Sequence, residues 1–312
     1  MKPLGARETT VKDTLDRVRE RCDAKARRAA DPVSFVHRFD QAVDREIVGL
    51  VAACTAFGNV KAIQVKLEEL MVRLGPHPAE LADDTRRLHQ RLRGWKHRVF
   101  KGEDIAHLIA GARSVQRTHG SLGVFFKIEL ARADERASSA HAAVRDALCA
   151  FCDAIRAAGG LGDLAQRTGR RGPAHLLSEP RGSSGNKRLL LFLRWMVRKA
   201  DGIDLGDWSI DPSRLLIPVD VHIHRLSRNL GLTERRALSW STTEEITRAL
   251  ARFDPDDPTK YDFSLCHMGM LKRCPSHADA ARCEGCGVLP VCVHWKGARG
   301  KTKASRRAVL GG

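Results

Sequence analysis

The chain has no run of about 18 uninterrupted apolar residues, the length that a membrane-crossing helix requires. Nothing is therefore expected to span a bilayer. Its opening stretch, MKPLGARETTVKDTLDRVRE, lacks the apolar block of a secretory signal, which points to the cytosol. Alternating apolar and polar runs of strand length are missing too, and this argues against a sheet core. Acidic residues are absent where basic ones gather. Residues 181–199 hold Arg181, Lys187, Arg188, Arg194, Arg198 and Lys199 without one Asp or Glu. Residues 293–312 likewise hold Lys296, Arg299, Lys301, Lys303, Arg306 and Arg307.

What is present is a chain of 312 residues, 43% hydrophobic and 29% charged. Such a composition excludes wholesale disorder and supplies a core for about two domains. Fifty-four Lys and Arg against 37 Asp and Glu leave a net charge of +17. A basic surface kept for solubility would give the same total. The clustering of the bases favours a polyanionic partner, of which nucleic acid is the commonest. Clustered bases supply phosphate contacts and salt-dependent affinity, not sequence readout.

The apolar pattern has helical period throughout. Val60, Ile63, Leu67, Leu70, Met71 and Leu74 share one face, as do Ile105, Leu108, Ile109 and Ala112. Val144, Leu148, Phe151 and Ile155 make a third stripe; Leu189, Leu193 and Met196 make a fourth. Residues 46–57, EIVGLVAACTAF, are apolar nearly all round and predict a helix at the centre of a bundle. Thr242 with Glu245 reads as a capping box, and Asp257-Pro258 as the start of the next helix. Breaks are expected at 75–78, 159–185 and 201–218, the second too long for an ordinary loop. The stretch 129–139 reads as a solvated helix end or linker, and the tail after Trp295, without apolar period, as disordered. The fold class is all-α.

The nine cysteines are unevenly placed. Cys22, Cys54, Cys149 and Cys152 are scattered through helical segments, whereas Cys266, Cys274, Cys283, Cys286 and Cys292 crowd together. In a cytosolic chain such a crowd points to metal rather than to disulfides. Cys274-x8-Cys283-x2-Cys286-x5-Cys292 can close around one centre, and two thiolate solutions exist, structural zinc or an iron–sulfur cluster. Spacing alone leaves both open. Cys266, on an apolar helix face with Tyr261, Leu265 and Met268, reads as a buried helix residue.

Two further segments carry possible chemistry. Arg181-Gly182-Ser-Ser-Gly185-Asn-Lys187-Arg188 runs a glycine-rich turn into an amphipathic helix, whose first amides can hold an anion. Lys187 falls in the first helical turn, where the dipole and Arg188 would favour a nucleophilic free amine. Taken alone, such a lysine reads first as a phosphate contact. In Pro218-Val-Asp220-Val-His222-Ile-His224-Arg225, Asp220 stands at an N-cap position, and a plain capping role is the simplest reading. His222 and His224 point to different helix faces and would not share a metal.

Lys187 after a glycine hairpin, Val-Asp220-Val-His-Ile-His-Arg at a helix start and then a four-Cys loop resemble the endonuclease III branch of helix-hairpin-helix DNA glycosylases. That family carries a hairpin lysine, a V-D-x-H-x-x-R segment and a C-x6-C-x2-C-x5-C loop. This chain keeps the order and the last two cysteine spacings, and widens the first to eight. Glu46 to Val60 resembles the family's early buried helix, and Gly94-Trp-Lys-His-Arg-Val-Phe another of its elements. The pattern GSSGNKRLxLFLRWMVR…PVDVHxxR resembles a bacterial branch of the superfamily. The departures are a hairpin reading EPRGSSGNK, a long Lys187–Asp220 interval, a bulky insertion over roughly 128–175, and Ala56 where the family often carries a wedging glutamine.

The resemblance implies two helical domains, residues 45–200 with the hairpin and residues 1–44 plus 201–312 with the cluster loop, flanking a cleft. It implies a monomeric, nucleoid-associated base-excision glycosylase with AP lyase activity on double-stranded DNA bearing a damaged base or abasic site. Lys187 would form a Schiff base and Asp220 would stabilise the sugar cation. Gly182, Gly185, Arg188 and Arg225 would bind DNA, with Arg273, Arg282 and Lys296 near it. Cys274, Cys283, Cys286 and Cys292 would hold a [4Fe-4S] cluster, zinc being the alternative. Two other functions remain open: a DNA- or RNA-binding iron–sulfur protein without glycosylase activity, and a zinc-stabilised interaction protein. Deleting residues 297–312 should flatten the slope of log binding constant against log salt without abolishing DNA binding, because the tail adds only phosphate contacts. A salt-independent wild-type affinity would remove DNA from the possible partners.

Overall fold

The computed structural model describes residues 3–199 and 201–295; the basic tail from Lys296 to Arg307 and beyond lies outside the described residues. The fold is all-α. Its only strands among the described residues are Lys96–His97 and Phe100–Lys101, a two-residue antiparallel pair joined by Arg98-Val99. No helix among these residues is long and apolar enough to cross a membrane.

The chain divides into two compact units, residues 24–215 and residues 1–23 with 216–312. The boundaries thus fall outside the expected 45–200. The segments 24–44 and 201–215 join the larger unit because polar side chains bind them there. Arg28 donates to Gly202 O, Arg45 pairs bidentately with Asp207, and His37 bonds Ile203 O.

The larger unit is built round the helix Ala42–Thr55. Apolar on all sides, that helix can lie only inside, and every residue from Glu46 to Thr55 is buried. Gly49 gives it close contact with the helix Lys187–Val197: a Cβ there would stand 2.9 Å from Met196 Cε. The helices Gly102–His119 and Ala140–Gly159 meet backbone to backbone, since a Cβ on Gly111 or Gly159 would collide with the carbonyl of Ile155 or His107. The four apolar stripes are buried as their period requires, apart from Val60 at a helix start. The segment read as an insertion is core: Phe151, with Phe126, Phe192 and Trp208, forms an aromatic cluster at centroid spacings of 5.2–6.3 Å. The long break at 159–185 contains two short helices, Leu161–Thr168 and Arg171–Leu176, with irregular chain at 169–170 and over 177–186.

One carboxylate sits at the centre of this unit. Glu46, 2% exposed, accepts at Oε1 from Gly123 N (2.9 Å) and Trp208 Nε1 (2.8 Å), and at Oε2 from Leu122 N (2.9 Å) and Gln116 Nε2 (2.8 Å). It thereby places an anion at the N-terminal end of the helix Leu122–Asp134, where exposed amides and the helix dipole favour one.

In the smaller unit the helices Ala6–Glu20, Val221–Leu230, Trp240–Ala251 and Asp262–Lys272 pack around Leu15, Ile223, Leu226, Ile246, Leu250 and Tyr261. Tyr261 donates its hydroxyl to Asp16 Oδ1 at 2.7 Å, tying the N-terminal helix to the C-terminal segment. Two expected helix starts move. Ser239, not Thr242, caps Trp240–Ala251 by accepting from Thr242 N; Glu245 is drawn away by Arg235. The helix after Asp257-Pro258 begins only at Asp262, because Asp254 accepts from the amides of Asp256 and Asp257 and holds a turn there.

Among the described residues, Glu46→Leu removes the acceptor of Leu122 N, Gly123 N and Trp208 Nε1 and leaves Gln116 Nε2 with Val43 O alone. Each such loss costs roughly 1–3 kcal/mol, so the variant should unfold in chemical denaturation with at least ~3 kcal/mol less stability, whereas Glu68→Ala, at an exposed ion pair with Arg38, should lose under ~1 kcal/mol.

Candidate functional site

Lys187 is the first residue of the helix Lys187–Val197, after an Asn186 held in the left-handed region at φ 49°. Its Nζ donates to Ala56 O at 3.2 Å. Ala56 ends the helix Ala42–Thr55 and is 5% exposed; a buried alanine cannot act as a duplex wedge. The amine of Lys187 thus lies between the start of its own helix and the end of the central one. The neighbouring Asn186 is 2% exposed; its Nδ2 donates to Ser184 O while its Oδ1 has no partner among the described residues.

The hairpin 177–186 is held from behind by arginines that the sequence does not single out. Arg145 donates to the carbonyls of Pro180, Arg181 and Gly182; Arg156 donates to those of Leu177 and Ser178. Both stand on the helix Ala140–Gly159, so the turn is fixed to the core by its carbonyl face. Gly182 is exposed, whereas Gly185 is buried, which removes Gly185 from direct phosphate contact.

Three arginines of the acid-free basic run, Arg181, Arg194 and Arg198, pair with acids from outside the run. Arg181 pairs with Asp153 and Glu179, and this hydrogen bond holds Asp153 below the usual carboxylate range. Arg194 and Arg198 converge on Asp204, which is 1% exposed, and Arg198 also bonds Asp201. Burial pushes the Asp204 carboxyl up in spite of both guanidinium groups. Arg188, expected on DNA, donates instead to the carbonyls of Cys54, Leu176 and His175 at 2.6–3.1 Å. It clamps the hairpin helix to the central helix. Cys54 and Cys152 are buried, and burial pushes the Cys54 thiol up to about 11 and raises that of Cys152 well above the usual thiol range. Neither is a nucleophile at neutral pH.

Asp220 lies in the smaller unit and caps Val221–Leu230, as its position predicts. Its Oδ1 accepts from the amides of His222 and Ile223, both at 2.8 Å. The second oxygen, Oδ2, accepts from the thiol of Cys266 at 3.5 Å. Cys266 is therefore half-buried rather than a plain core residue; an apolar helix stripe gave no sign of this contact. Arg225, also expected on DNA, donates to Cys274 O at 2.8 Å. His224 bonds Arg235 O.

Cys274, Cys283, Cys286 and Cys292 line one small recess, open in part to solvent, with Asn229, His277, His294 and Trp295 beside them. Cys266 is not in its wall. Cys274 follows directly on the helix Asp262–Lys272 and its left-handed Arg273, whereas Cys283 ends the short helix Ala280–Cys283. Asn229 donates to Cys274 Sγ at 3.2 Å. Burial raises the thiols of Cys274 and Cys292, and the other cysteines of the set add to the rise. Four thiols gathered this way repel as thiolates and need a cation to lose their protons together. Among the described residues, no three His, Cys, Asp or Glu side chains converge closely enough to hold one metal ion. Arg282 of this loop pairs with Asp279.

Residues 31–271 match a family described as a protein of unknown function, DUF2400, and the chain belongs to that family. No curated protein and no solved structure matches it. The matched span contains Lys187, Asp220 and Cys266 and ends before Cys274.

The recess yields a direct test. Cys283→Ser and Cys292→Ser should each lose most of the metal found by elemental analysis of the purified protein, whereas Cys266→Ser should retain it. Loss of metal only in Cys266→Ser would refute the ligand set.

Proposed function

We propose that this protein is a DNA base-excision glycosylase with AP lyase activity. The observation that carries the reading is the geometry of Asp220: its cap uses Oδ1 alone, so Oδ2, met among the described residues by a weak thiol donor alone, is left for chemistry. The substrate is double-stranded DNA with a damaged or missing base, flipped out of the stack. Lys187 attacks C1′, forming a C–N bond as the glycosidic C–N bond breaks. The base leaves with that electron pair and takes up a proton. Ring opening then gives the Schiff base, and loss of a C2′ proton expels the 3′ phosphate by β-elimination. Asp220 stabilises the cationic charge that develops at the sugar. The net charge of +17 supports a polyanionic substrate, bound in the cytoplasm at the nucleoid by a single chain.

The four cysteines, which line one recess, suit a [4Fe-4S] cluster by donor chemistry, each thiolate binding a different iron. Such a cluster would brace the loop 274–292 and so orient Arg273 and Arg282. Zinc would need the four sulfurs drawn onto one point, with Zn–S near ~2.3 Å.

A second reading is a nucleic-acid-binding protein without glycosylase chemistry. One observation favours it: the Lys187 amine is engaged by Ala56 O rather than standing free for attack.

Borohydride trapping on abasic duplex separates the two. Wild type should give a covalent adduct, and Lys187→Gln should lose it while still binding the duplex. Asp220→Asn should bind damaged DNA at least as well and turn over at least ~100-fold more slowly, the scale set by removal of one charge-stabilising group. Asn caps a helix almost as well as Asp. Undiminished turnover in Asp220→Asn would therefore leave Asp220 a cap and favour the second reading.

A further inference from the structure

We propose that Cys266 is a positioning residue for Asp220, holding the carboxylate oxygen that faces chemistry without neutralising it. The proposal rests on the role given to Asp220 above.

The contact is built by a helix pair and is no accident of one rotamer. The helices Val221–Leu230 and Asp262–Lys272 meet at Gly269, where a Cβ would stand 3.0 Å from Leu226 Cδ1 and 3.2 Å from His222 Cβ. A larger residue would push the two helices apart at this point. Arg225 and Asn229 fasten the same pair at its other end, through Cys274 O and Cys274 Sγ. Between these anchors, Cys266 comes within 3.5 Å of Asp220 Oδ2.

The choice of donor has a chemical consequence. Two amides at 2.8 Å pin Oδ1, and a carboxylate held at one oxygen alone can swivel about it. A third donor on Oδ2 stops the swivel. A guanidinium or ammonium there would also cancel the negative charge that must stabilise a cation. A thiol is a weak donor and cancels little of it. Holding without quenching is what an electrostatic stabiliser requires, because its value lies in a fixed charge that need not reorganise.

The test compares wild type, Cys266→Ala and Cys266→Ser in two assays. In the first, single-turnover strand cleavage and equilibrium binding are measured on duplex with an abasic site. Cys266→Ala should cleave about tenfold more slowly, the scale of one hydrogen bond. Its affinity for the duplex should stay within about twofold of wild type. Cys266→Ser, which restores a donor, should recover to within about threefold of wild type. A Cys266→Ala variant that cleaves at the wild-type rate, or a Cys266→Ser variant as slow as Ala, overturns the proposal. The second assay needs no turnover. Peptide mapping after limited iodoacetamide treatment should show Cys266 alkylated severalfold faster in Asp220→Asn than in wild type, because a carboxylate acceptor keeps the proton on sulfur and an amide does not. Equal alkylation refutes the contact itself. Faster alkylation in Asp220→Asn, together with a wild type that forms no adduct and cleaves nothing, keeps the contact but removes both the glycosylase reading and the positioning role.

Discussion

The larger unit depends on a single buried anion. Glu46 lies on the buried, largely apolar helix Ala42–Thr55 and accepts four hydrogen bonds from three other segments: the helix Gly102–His119, the start of Leu122–Asp134 and the loop carrying Trp208. A buried carboxylate is costly unless every acceptor site is used, and here the use is also the assembly instruction. Each donor comes from a segment that must be in place before Glu46 is satisfied. The central helix thus fixes the positions of the aromatic cluster and of the loop 201–215, and through Gly49 that of the helix bearing Lys187.

From that frame the hairpin takes its character. A turn of small residues has little core of its own, so its shape comes from Arg145 and Arg156 on the helix behind it, while Arg188 ties the helix that follows it to Cys54, His175 and Leu176. All three arginines are donors to carbonyls, a task for which a planar guanidinium with five N–H groups is suited. Positive charge in this part of the chain therefore serves architecture first. Basic residues available to a polyanion must be sought elsewhere, and an acid-free stretch of sequence is not by itself a basic surface.

The smaller unit shows a different economy of polar groups. One helix, Val221–Leu230, carries the cap Asp220 at its start and Arg225 and Asn229 further along, so that a single element joins the candidate carboxylate to the cysteine-lined recess. The helix Asp262–Lys272 repeats the arrangement from the other side, with Cys266 on Asp220 and Cys274 just beyond its end. The matched family span covers the carboxylate and the thiol and stops short of the four cysteines. Carboxylate and recess are nevertheless mechanically joined within this chain.

The sequence by itself determined the helical class, the buried faces of the long helices and the cap at Asp220, because these follow from local spacing: an apolar residue every three or four positions, or a capping side chain ahead of a helix. It also determined which four cysteines stand close, since a short loop limits their separation. Only the tertiary structure decided what the polar groups are paired with. Arg181 and Asp153, Arg188 and Cys54, Cys266 and Asp220 are distant in sequence, and a hydrogen bond between distant residues leaves no period for a reader to find. The domain boundaries followed the same rule. They lie where Arg28, Arg45 and His37 bind 201–215, and not where the composition changes, because a compact unit ends where its long-range contacts end.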